Sequence, residues 1–175
     1  MKGVVTTGLA LLAFVLQVFF SPVISLFGAK PEFIIILIVC AAFFSGELFS
    51  PVAIALFLGI ALDTTLQGGT YINTGIYLFI AVMGAVAGKL LLPRNLTIIM
   101  LAVGISGLAK YFLLIFILYA VDIEGSPSLM ILIKGLPSIA YTVLASLPCF
   151  YFLQSIYQIQ FMKPDSGQTG VFLGE

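Results

Sequence analysis

The sequence predicts an all-α polytopic membrane protein: a six-helix transmembrane bundle over residues 1–160 and a short polar cytoplasmic tail over 161–175. Three observations carry this. Of the 175 residues, 62% are hydrophobic and 8% charged, against roughly 45–50% and about 25% in an average soluble domain. The mean hydropathy is +1.25, and the apolar runs approach the about 20 residues that a helix needs to cross a hydrocarbon layer of about 30 Å. Gly, Pro and Ser clusters separate those runs. Such a chain cannot keep its surface wet, which excludes an ordinary soluble enzyme, a disordered tail and a nucleic-acid binder. Seven Lys and Arg balance seven Asp and Glu, so no basic patch points to a polyanionic partner. With no His in the chain, His-based zinc sites and His general bases are absent. Cys40 and Cys149 sit in apolar runs without CxxC spacing and read as small core residues.

The first span covers residues 3–27. Lys2 ahead of an apolar run resembles a signal peptide, but the run is longer than a signal h-region of about 7–15 residues, and it reads as a retained helix. The second covers 33–44, with a continuation to 49; Pro31 fixes φ as it begins. The third covers 51–66, with Pro51 in the first turn, where its missing N–H is not needed. Only Ser45-Gly46-Glu47 and Ser50-Pro51 divide these two short spans, which fits two tight antiparallel helices better than a re-entrant pair. Gly68-Gly69 ends the third. The fourth covers 75–92, and Pro93-Arg94-Asn95 separates it from the fifth, 96–121. Gly125-Ser126-Pro127-Ser128 leads to the sixth, 129–157. Pro22, Pro137 and Pro148 inside spans should kink their helices and free a carbonyl for a neighbour to satisfy.

Basic residues near span ends set orientation. A cytoplasmic N-terminus places Lys2, Lys89, Arg94 and Lys163 inside, against Lys30 and a snorkelling Lys134 outside; six spans then put the C-terminus inside too. Glu32, Asp122 and Glu124 fall in outer loops. Three ionisable residues remain within spans: Asp63, Lys110 and Lys134. A charge at helix centre costs about 2.5–3.5 kcal/mol on insertion scales, so each needs a partner or water. At about 1.5 Å per residue, Asp63 lies roughly 18 Å, Lys110 roughly 21 Å and Lys134 roughly 22 Å from the inner boundary. This shared layer predicts that Asp63 pairs with Lys110 or Lys134, either as a structural pair that fixes helix register or as a polar pocket that a ligand or partner engages.

Small residues offer close helix contacts. Gly84 and Gly88 form a GxxxG that can seat an intramolecular neighbour or, less often, a second copy in a homodimer. Ala55, Gly59 and Asp63 share one face of the third span; Ser138, Thr142 and Ser146 share one face of the sixth, where hydroxyls can bond across helices. No catalytic constellation is present: there is no GxSxG, Walker A loop or HExxH, and no second carboxylate lies near Asp63 at catalytic spacing. No cofactor or metal is expected.

One stretch is more specific than composition. Lys30-Pro31-Glu32-Phe33 opens the aliphatic run Ile34-Ile35-Ile36-Leu37. The segment Phe57-Leu58-Gly59-Ile60-Ala61-Leu62-Asp63 follows, and then Asn73, Gly75, Tyr77, Gly84 and Gly88. This resembles the MreD family of bacterial rod-shape-determining membrane proteins: a Pro-acid pair opening an aliphatic span, then G-x-x-x-D, then an Asn or His before the next span. The resemblance covers residues 30–92. Ser45-Gly46-Glu47 and Leu66-Gln67-Gly68-Gly69 depart from the basic and Ser-Gly turns of many relatives. The resemblance implies a non-enzymatic inner-membrane role with MreC in the peptidoglycan elongation machinery, alongside MreB, RodA and a penicillin-binding transpeptidase. It implies a fold similar to the substrate-binding subunits of energy-coupling-factor vitamin transporters. Pro31, Glu32, Gly59, Asp63 and Asn73 are the family-matching positions, structural or partner-docking in role. A vitamin-binding transport subunit is the alternative from the same fold group; a lipid-processing enzyme or flippase is weakened by the lack of His and of a carboxylate cluster.

Overall fold

The computed structural model describes residues 2–25, 29–66, 71–90, 95–120 and 128–157. Helix α1 (Lys2–Val15) widens into a π-helical turn at Leu16–Phe20 and closes with the short α2 (Ser21–Val23). The widening falls immediately before Pro22. A proline lacks the N–H of the next rung and its ring crowds the carbonyl four residues back, at Val18. Ser21 N–H instead bonds the Leu16 carbonyl, one residue further than an α-helix allows. The kink expected at Pro22 is therefore a change of helical pitch.

An extended segment leads into α3 (Phe33–Ser45), which Gly46 ends in left-handed backbone at φ 67; glycine takes that conformation without a Cβ penalty. Helices α4 (Phe49–Leu66), α5 (Ile72–Leu90), α6 (Leu96–Ala120) and α7 (Ser128–Tyr157) follow. Pro51 lies in the first turn of α4, and α7 carries Pro137 and Pro148 in its interior.

Helix α3 is apolar on every face, and every residue from Ile34 to Ser45 is buried. It packs against α1, α4, α5, α6 and α7 and forms the axis of the bundle. Helix α6 is apolar apart from Lys110 and a few hydroxyls, yet only Ile99, Val103 and Gly107 are buried. Many of its other residues are half-buried, while Leu101, Ile105, Phe112 and Phe116 are exposed, as a lipid-facing surface requires.

Six crossings were expected, the second and third of them short. Among the described residues, four helices are long and apolar enough to cross a membrane: Gly3–Val23, Ile72–Leu90, Leu96–Ala120 and Gly135–Tyr157. The other two apolar helices, Phe33–Ser45 and Phe49–Thr65, are shorter. At about 1.5 Å per residue, α3 reaches only about 20 Å. The turns at 67–70, 91–94 and 121–127, the tail from 158, and the side chain of Lys134 lie outside the described residues.

The two glycines of the GxxxG on α5 serve the monomer. A Cβ at Gly88 would stand 2.9 Å from the Ala42 carbonyl oxygen, and one at Gly84 would stand 3.2 Å from Ala42 Cβ. The α3–α5 contact occupies this face.

Candidate functional site

Two polar knots stand out in the otherwise apolar bundle. The first joins α4 to α5. Asp63, fully buried, accepts from Asn73 Nδ2 at 2.9 Å on one oxygen, and from Thr74 N at 2.8 Å and Thr74 Oγ1 at 2.7 Å on the other. Thr74 is in the first turn of α5, where backbone N–H groups have no helical partner. Asp63 thus caps a neighbouring helix from outside, and its charge faces the positive end of the helix dipole. Gly59, one turn earlier on α4, lets this happen: a Cβ there would stand 2.6 Å from Thr74 Cα. The turn into α5 holds Tyr71 at φ 50, a conformation that costs about 1–2 kcal/mol for an L-residue and that the Asp63 bonds offset. The spacing G-x-x-x-D followed ten residues later by Asn-Thr therefore has a physical sense: close approach, then cap.

The second knot surrounds the extended segment before α3. Irregular backbone at membrane depth must find its hydrogen bonds inside the protein, and here side chains from two flanking elements supply them. From the first span, Ser21 Oγ donates to the Pro31 carbonyl at 2.9 Å and Gln17 Oε1 accepts from Phe33 N at 2.8 Å. From α7, Thr142 Oγ1 accepts from Glu32 N at 3.0 Å and Ser138 Oγ donates to the Lys30 carbonyl. Pro31, buried, has no N–H to satisfy. Ser138 and Thr142 of the sixth span's hydroxyl face thus find partners in residues 30–32, while Ser146 donates to the Val143 carbonyl of its own helix.

This segment delivers Glu32 into the bundle. Glu32 Oε2 pairs with Lys110 Nζ at 2.6 Å, the two side chains 10% and 14% exposed. Tyr111 OH donates to Glu32 Oε1 at 3.3 Å, and Lys110 donates to Tyr77 OH at 3.4 Å. The ammonium also lies 5.4 Å from the Tyr77 ring centre, within cation–π range. Gly135 makes room for Tyr111: a Cβ there would meet the ring at 2.8 Å. A cleft of about 380 Å³ opens over this pair, lined by Gln17, Lys30, Glu32, Lys110, Tyr111, Ile131, Gly135 and Ser138.

Two expectations are corrected. Lys110 pairs with Glu32 and not with Asp63, which accepts from Asn73 and Thr74; the Lys134 alternative falls on a side chain outside the described residues. Glu32 was placed in an outer loop and is buried. Depth counted along each helix assumes that each span begins at the membrane boundary, and it leaves out the segment before α3 that carries Glu32 against Lys110. Gln17, Thr74 and Tyr111 were not singled out from the sequence. Gln17 had a signal, since it is the one amide in the apolar run 3–27. Among the described residues no group of three or more His, Cys, Asp or Glu side chains could hold a metal ion.

Apolar spanning helices around a core that internalises its charges define an all-helical membrane protein. No family model, curated protein or solved structure matches the chain.

Proposed function

We propose that this protein is a non-catalytic scaffold of the bacterial inner membrane that binds an MreC-type single-span coiled-coil protein and helps organise lateral peptidoglycan synthesis in the cell-elongation complex. The observation that carries this is the use made of the motif residues. Gly59, Asp63 and Asn73 join α4 to α5, and Pro31 and Glu32 anchor the entry to α3. All five hold helices in register, as a scaffold motif requires. Six crossings, with both termini cytoplasmic, belong to the same proposal. Four extended residues at about 3.3 Å each add about 13 Å to the about 20 Å of α3, which supports a full crossing by residues 29–45.

Co-expression tests the reading. A tagged copy is expected to retain an MreC-type partner at fixed stoichiometry through detergent purification. Loss of that partner from a protein that still elutes as a folded species would overturn it. The cleft beside Glu32 favours a second reading, a substrate-binding subunit for vitamin uptake. A vitamin bound one-to-one in the purified protein would replace the scaffold with that role.

A further inference from the structure

The cleft over the Glu32–Lys110 pair has an imbalance of hydrogen-bonding groups. Each oxygen of its carboxylate already accepts a hydrogen bond: Oε2 takes Lys110 and Oε1 takes Tyr111. The Ser138 hydroxyl hydrogen is directed to the Lys30 carbonyl. The donors are not exhausted. Gln17 uses its oxygen on Phe33 N, which leaves the two N–H bonds of its amide. Lys110 has three N–H bonds and directs two of them to Glu32 and Tyr77. Lys30 is exposed at the rim of the same cleft. Among the described lining residues, two ammonium groups face one carboxylate that is already paired. Gln17 also sits on the π-helical turn, a distortion that occurs frequently at functional sites. At about 380 Å³ the cleft falls in the lower part of the about 300–1,000 Å³ range of small-ligand sites.

The geometry points to a binding site for an oxyanion, a phosphate or carboxylate group, held between Lys30, Lys110 and the Gln17 amide. The Glu32–Lys110 pair fixes one ammonium in place, and Lys30 closes over the group from the rim. The chemistry is shared by the headgroup of an anionic lipid and by a soluble phosphate. This site is independent of the scaffold proposal, because partner retention and anion binding are read in different assays.

The test uses the full chain in nanodiscs. In one arm, discs of pure phosphatidylcholine receive inorganic phosphate, with chloride at equal ionic strength as reference. In the other, phosphatidylglycerol replaces part of the phosphatidylcholine. A rise in the thermal midpoint with phosphate assigns a soluble anion; a rise confined to phosphatidylglycerol discs assigns a lipid headgroup; either supports the site. Lys30→Gln, an exposed change that leaves the Lys30 carbonyl in place, is expected to weaken half-saturation by about tenfold, the scale of one charge-assisted hydrogen bond. Lys30→Arg should restore it, and Lys89→Gln, at the far end of α5, should leave it unchanged. No anion-dependent rise in either arm, or equal losses in Lys30→Gln and Lys89→Gln, would overturn the assignment.

Discussion

Asp63 holds the start of α5 through three hydrogen bonds and has no exposed surface. Asp63→Ala orphans the Thr74 N–H and the Asn73 amide. Each orphaned donor costs about 1–3 kcal/mol, so a loss of about 2–6 kcal/mol is expected. Asp63→Asn keeps one carbonyl oxygen and should lose about half of that. Unfolding in detergent measures both, and unchanged midpoints would show that the α4–α5 junction does not depend on this carboxylate. The Glu32–Lys110 pair calls for a double-mutant cycle. Lys110→Met leaves a buried carboxylate without its cation and should cost about 3–5 kcal/mol, whereas Glu32→Gln with Lys110→Met should recover most of it. Additive single-variant losses would mean that the two groups are not coupled.

At the scale of elements, glycines decide how closely helices approach. Gly59→Ala pushes a Cβ against Thr74 backbone and should destabilise by about 1–3 kcal/mol, the usual cost of overpacking. Gly75→Ala meets nothing within 4 Å and should be neutral or stabilising by up to about 1 kcal/mol, through helix propensity. Equal effects of the two changes on thermal unfolding would sink this account of the G-x-x-x-D motif. The Asp and Gly of that motif were legible in the sequence, and so were the interruptions at Pro51 and Gly46. The partners were not. Lys110 was matched to Asp63 by counting residues along α4 and α6, a method that cannot register an extended segment entering the bundle. Residues 30–32 look like a polar loop in the sequence. Pro31 and Glu32 lie inside because Gln17, Ser21, Ser138 and Thr142, from ten to more than a hundred residues away, satisfy the backbone of residues 30–33.

For the whole molecule, Gly3, Ser45, Glu47 and Tyr157 line one cavity at one end of the bundle, while Tyr71 opens α5 and Lys89 closes it. The proposed orientation puts the Lys89 end in the cytoplasm, following the excess of basic residues on that side. In a Cys40→Ala, Cys149→Ala background, Tyr71→Cys should react with a membrane-impermeant maleimide in intact cells. Glu47→Cys and Lys89→Cys should react only after lysis. Labelling of Tyr71→Cys and Glu47→Cys from the same side would rule out the proposed topology.

Composition and spacing by themselves determined that this is an all-helical membrane protein and where most helices start and stop. Tertiary structure alone decided that α3 is the buried axis while α6, also largely apolar, exposes much of its surface, and that Glu32 is the partner of Lys110. The reason lies in the solvent. In water, hydrophobicity separates inside from outside, but lipid tails are as apolar as Leu, so an apolar residue fits either place. Position is then settled by close packing and by which polar groups can satisfy one another, and those are properties of the assembled bundle.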